Sequence, residues 1–163
     1  MFEIIFEKLI KNGYAKDKSV YWRGLELNNP TNAELREILE NAKTIAVVGL
    51  SDNPSRTSYR VSKVMQKHGY RIIPVNPKVD EVLGEKAYNT LEDIKEPIDI
   101  INVFRRSEYL VDVAEEAIKT DCKVFWAQLG ISNEKARELL KEHDFTVIMD
   151  LCIKVVHSKV IGN

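Results

Sequence analysis

Glycine, proline, histidine and cysteine are all scarce in this chain of 163 residues, at seven, five, three and two. Two cysteines cannot form the disulfide framework that staples small secreted domains, so a hydrophobic core must hold the fold. Neither cysteine has partners at metal-ligand spacing, which argues against zinc. An excess of one charge is missing too. The formal net charge is −1, so no global field draws the chain to nucleic acid or to an anionic membrane. No apolar run is long enough to span a bilayer. The apolar start, residues 1–11, is interrupted by Glu3, Glu7 and Lys8 well short of a signal peptide's uncharged core. It reads as an amphipathic helix with Phe2, Ile5, Phe6, Leu9 and Ile10 on one face. A cytoplasmic protein with reduced thiols is expected.

What is present points to one domain, because a 44% hydrophobic content over this length supplies a substantial core. Residues 12–30 carry Gly13, Gly24 and Pro30 without a clean period, so residues 1–30 are set apart as a helical and irregular extension in which Trp22 is an anchor. The domain proper is residues 31–163. Thr31 followed three residues later by Glu34 is a reciprocal capping signal, and Leu35, Ile38, Leu39 and Ala42 form the stripe of the helix it opens. Five apolar runs follow, at 44–49, 71–75, 98–104, 122–127 and 145–149, with Trp126 read as core. They are continuous rather than alternating, as in strands covered on both faces. Helical stripes separate them: Val61, Val64, Met65 and His68; Leu110, Val113, Ala114, Ala117 and Ile118; Ala136, Leu139 and Leu140. The connection at 76–97 is long, with one helical turn at 91–94. The pattern predicts an α/β fold, a doubly wound Rossmann-like five-stranded parallel sheet of order 3-2-1-4-5. Its ligand crevice lies at the carboxyl ends of the strands.

The residues just after the strands then share a rim, and the loop after the first strand is built for a phosphate. Gly49 allows a tight turn, and the following helix aims its unpaired N–H groups back at it. Ser51 offers a hydroxyl, Arg56 a fork and Lys78 a point charge, with Arg60, Arg105 and Arg106 as further cations. Phe104 offers a face for a base to stack on. The G-x-G-x-x-G fingerprint of nicotinamide dinucleotides fails here, because Ser51 and Pro54 stand where it needs glycine. The second strand ends in Asn76-Pro77-Lys78 rather than in an acidic residue for a ribose. A G-x-x-x-x-G-K-[ST] loop is absent.

In order along the chain stand G-L-S-D-N-P-S-R, H-G-Y-R-I-I-P-V-N-P-K, V-F-R-R-S-E, Q-L-G-I and M-D-x-C-I-K. Together, over residues 31–157, they resemble the small single-domain CoA-binding proteins of Rossmann type, similar to the CoA-binding domain of succinyl-CoA synthetase. The resemblance implies coenzyme A, or an acyl-CoA, as the ligand. It implies that Gly49, Leu50, Ser51, Arg56 and Tyr59 lie along the phosphates. Val75, Asn76, Pro77 and Lys78 would line the nucleotide end with Phe104 and Arg105, and Gln128 and Gly130 would sit nearer the pantetheine arm. Where the family pattern favours arginine in M-D-R-C, this chain has Leu151.

No catalytic set stands out. His68, before Gly69, and His143 fall in last helical turns, where a donor suits the dipole. His157 follows Cys152 by five residues, off the same-face spacing, which disfavours a nucleophilic pair. Cys122 and Cys152 fall at opposite ends of neighbouring strands, too far apart to bridge. Asp112, Glu115, Glu116 and Asp121 read as a solvated helix face. Alternatives remain: an acyl-CoA-handling enzyme using Cys152 or Asp150, a ligase subunit, or a NAD(P)-binding redox sensor. A homo-oligomer or protein partner is also open.

Overall fold

The computed structural model describes residues 28–162. The reading of residues 1–11 as a helix, the irregular segment after it and the anchor Trp22 lie outside the described residues. Helix α1 (Asn32–Asn41) starts at Thr31, whose side chain accepts from the Glu34 N–H while Glu34 bonds back to the cap, as the spacing predicted. Those bonds lower the Glu34 pKa.

Then come β1 (Thr44–Val48), α2 (Thr57–Lys67), β2 (Arg71–Val75), the short hairpin strands β3 (Glu81–Val82) and β4 (Glu85–Lys86), and β5 (Ile100–Val103). The chain continues with α3 (Leu110–Ala117), β6 (Val124–Ala127), α4 (Glu134–Glu142), β7 (Thr146–Ile148) and α5 (Ile153–Val160). All five expected strands form within the expected runs, and the turn at 91–94 is a single 3-10 turn, Leu91–Asp93. The β3–β4 hairpin carries too few apolar positions at either period to have been expected, and α5 was not expected either.

The five long strands make one parallel sheet of order β2-β1-β5-β6-β7. Alternate residues serve opposite faces, so the continuous runs feed two cores. Ala46 and Val48 join Val113, Ala114, Ala136 and Leu140 under α3 and α4. Ile45 and Val47 join Leu35, Leu39, Val61, Met65, Ile153 and Val156 under α1, α2 and α5. Phe125 and Trp126, neighbours in β6, are both fully buried and divide between the two cores.

The doubly wound parallel sheet is as expected, and its order has one consequence for the site. Numbered among the sheet strands alone, it reads 2-1-3-4-5, with β5 beside β1 rather than outside β2. The 76–97 connection is the reason. Tyr88 bridges Val75 in parallel, its N–H donating to Pro74 and its carbonyl accepting from Asn76, so the outer edge of β2 is already covered. The third sheet strand pairs on the free edge of β1 instead. Chains leaving β1 and β5 go to opposite faces, and the crevice opens between them.

Candidate functional site

At that crevice Gly49 has φ +84°, and a Cβ there would lie 2.5 Å from the Phe104 carbonyl oxygen and 3.3 Å from Arg105 Cδ. No other residue fits both the left-handed backbone and the contact. The two loops are bolted together by the Phe104 N–H to Val48 O at 2.9 Å. Phe104 is half-buried against the α1–α2–α5 core, and the Arg105 guanidinium lies over the Tyr109 ring at 5.0 Å.

The segment between Gly49 and α2 uses its polar side chains on itself. The Asn53 carboxamide accepts from the Ser55 N–H at 2.9 Å and hydroxyl at 2.8 Å, Ser51 Oγ accepts from the Asn53 N–H at 3.1 Å, and the Ser51 N–H donates to Ser58 Oγ at 3.1 Å. Accepting leaves the Ser51 hydroxyl proton free to donate. The N-cap of α2 is Arg56, whose side chain makes no cap bond. The first-turn N–H groups of α2 therefore open toward the rim with the positive end of the dipole. Tyr59 is half-buried beside them, and Arg56 and Arg60 are exposed.

Asn76 ties the second loop to the first. Its Nδ2 donates to Leu50 O at 3.0 Å and its Oδ1 accepts from the Lys78 N–H at 3.0 Å. Pro77 and Lys78 project as an exposed lip. Leu50 and Val75 are buried, so backbone is what they can present to a ligand.

The other side of the rim is formed by the loops after β6 and β7. Gln128 is buried, with Nε2 donating to Asn102 Oδ1 at 2.6 Å and Oε1 accepting from the Ile153 N–H at 3.4 Å. Gly130, φ +82°, is exposed, and its N–H donates to Asp150 Oδ1 at 2.6 Å. Between this turn and the loop after β5 lies a groove of about 490 Å³ lined by Phe104, Arg105, Arg106, Ser107, Gly130 and Ile131. Ser107 closes its floor, accepting from the Ser132 N–H and, through its carbonyl, from Asn133.

Open backbone donors and basic side chains thus share one rim over a doubly wound sheet. Residues 43–158 match the model of the CoA binding domain. The chain belongs to that family. Bacillus subtilis YneT is 62% identical over 132 residues, spanning 81% of this chain and 98% of its own length. A solved Pyrococcus horikoshii protein superposes with a TM-score of 0.80 at 35% identity, covering 83% of this chain and 95% of that one. The ADP-forming acetate–CoA ligase II subunit alpha of Pyrococcus furiosus is 28% identical over 130 residues, which cover 72% of this chain and 28% of the ligase subunit.

Both cysteines are unpaired, as expected. Cys122 is buried, which pushes its thiol up to about 11. Cys152 is half-buried at the N-cap of α5. The His157 ring is buried, stacked on His68 at 4.2 Å and edge-on to Tyr70 at 5.7 Å. Among the described residues no cluster of three or more metal-ligating groups occurs, and no helix is long and apolar enough to cross a membrane. Glu116 departs from the solvated face expected of it, being half-buried and accepting from the Leu91 N–H at 3.3 Å.

Sequence reasoning missed Ser58 and Asn102 as parts of this site, and it offered Asp150 only as a reactive group, without its bond to Gly130. Asn53, two residues before Ser55, was a legible turn signal. Asn102 and Gln128 meet only because β5 and β6 pair.

Proposed function

We propose that the chain binds coenzyme A or an acyl-CoA at this rim, with the pyrophosphate on the 49–56 loop and the start of α2. One observation carries the reading: α2 opens without a side-chain cap, on the same rim as Arg56, Lys78 and Arg105. The missing Cβ at Gly49 lets the loop after β1 pack directly on the Phe104 carbonyl, which brings Arg105 to the same rim as the start of α2. In this reading Gly49, Leu50, Ser51, Arg56 and Tyr59 follow the phosphates, and Val75, Asn76, Pro77, Lys78, Phe104 and Arg105 take the nucleotide end. Gln128 and Gly130 lie toward the pantetheine arm. Residues 31–163 are the binding unit and 1–30 an extension.

Thermal-shift titration with CoA, dephospho-CoA, acetyl-CoA and NAD tests this, since a ligand of the native state raises stability by RT ln(1 + [L]/Kd). CoA should stabilise and NAD should not; the reverse would overturn the reading. Equal responses to CoA and dephospho-CoA would remove Lys78 and Arg105 as partners of the 3′-phosphate.

The ligase likeness favours a second reading, an acyl-CoA-handling enzyme or ligase subunit with Cys152 or Asp150 near the thiol. It requires turnover of an acyl-CoA that Cys152→Ala or Asp150→Asn abolishes.

A further inference from the structure

Asp150 stands in a left-handed backbone conformation, φ +61°, which costs a residue with a Cβ about 1–2 kcal/mol relative to the right-handed form. Something must hold it there. Its carboxylate accepts the Gly130 N–H at 2.6 Å, and its own N–H donates to the Ile131 carbonyl at 3.1 Å. The Ile131 N–H closes the turn onto Gln128 O at 2.9 Å. Two bonds in opposite directions thus clamp the Gly130–Ile131 turn, which forms one wall of the groove facing Phe104 and Arg105.

We propose that Asp150 is a positioning residue of the ligand groove, its carboxylate holding the Gly130–Ile131 wall in place so that ligand affinity falls when the carboxylate is protonated. The proposal rests on the CoA reading of the rim. A carboxylate accepts a hydrogen bond about twice as strongly as a neutral acceptor, so protonation loosens the clamp. Burial raises the Asp150 pKa and the Gly130 N–H lowers it; these are the influences on it among the described residues, and no charged side chain is one of them. The net direction is upward.

Two variants separate the carboxylate from the backbone. Asp150→Asn keeps an oxygen for Gly130 and tolerates the left-handed backbone, losing only the charge. Asp150→Gly keeps the backbone and loses the acceptor. Calorimetric titration with CoA from pH 7.5 down through the protonation of Asp150 should show the wild type weakening about five-fold more than Asp150→Asn, the difference between a charged and a neutral hydrogen bond. The ligand's own phosphate titration is common to both and cancels in the ratio. Asp150→Gly should bind about ten-fold more weakly at pH 7.5. In the ligand-free protein the Gly130 amide NMR shift should titrate in the wild type and stay flat in Asp150→Asn. A flat Gly130 shift in the wild type, or Asp150→Gly binding CoA as tightly as the wild type, would overturn the proposal. Failure of the wild type to bind CoA at pH 7.5 would instead sink the CoA reading, with the Gly130 titration still deciding for or against the clamp.

Discussion

The two ends of the sheet differ in what they leave open. At the amino ends Asp99 accepts from the Lys43 and Thr44 N–H groups at 2.8 and 3.0 Å, the Tyr70 hydroxyl donates to Leu39 O at 2.6 Å, and Lys123 Nζ donates to His143 O at 3.2 Å. That end also has a hollow, of about 700 Å³, but its Lys119 and Lys95 are both engaged by Glu92. At the carboxyl ends the helix start of α2 lacks a side-chain cap, beside the tight turn at Gly49. Both ends bond many of their side chains internally, but the carboxyl end also presents the open start of α2. Stability should therefore respond to changes at the first, and ligand affinity to changes at the second.

The sharpest break is Gly49→Ala, the one position at the rim where both are at stake. The added methyl meets the Phe104 carbonyl at 2.5 Å on a backbone that L-residues avoid, which should cost about 3 kcal/mol or more in denaturant unfolding. CoA binding should go with it. A variant as stable as the wild type would mean that the β1 and β5 loops part easily.

Arg56→Ala tests the open end alone. CoA affinity should fall by about 1.5–3 kcal/mol if the side chain makes a charge-assisted bond, while stability stays within about 0.5 kcal/mol. Asp99→Ala is its counterpart at the closed end, expected to lose about 1–2 kcal/mol of stability through the Lys43 and Thr44 N–H groups with CoA affinity unchanged. If the two effects were exchanged, the contrast between the ends would be wrong.

A smaller effect concerns His157. Burial, and then the neighbouring His68, hold its imidazole below the ordinary 6.5. The unfolded chain takes up that proton first, so this contribution is intact above about pH 6.5 and declines as pH falls through that value toward the folded pKa. His157→Phe keeps the ring and should flatten that stretch of the Tm-versus-pH curve; an unaltered slope would assign it to carboxylates. The smallest effect is kinetic. With iodoacetamide at pH 8, Cys152 should alkylate in the folded protein and Cys122, with its raised pKa, only after unfolding.

Much of this was legible beforehand for a physical reason. Continuous apolar runs need cover on both faces, and 44–48, 71–75 and 124–127 find it as strands of a parallel sheet with helices on both sides. Local bonding is also written locally, so the Thr31–Glu34 box and the turn at Gly69 (φ +97°) follow from neighbouring residues. Helix α5 was not legible, because its buried Ile153, Val156 and His157 mix one apolar stripe with a ring whose burial depends on His68.

By itself, then, the amino-acid order determined the strands, the alternation of the two cores, the family motifs and the residues that gather at the carboxyl ends, since each rests on period, propensity or spacing within a few residues. Tertiary structure alone decided that β5 lies beside β1, that Gly49 therefore faces Phe104 and Arg105, and that Asp150 reaches Gly130. Those pairings join residues well separated along the chain, and the place of β5 goes with Tyr88 covering the edge of β2, a competition for hydrogen bonds that no local pattern records.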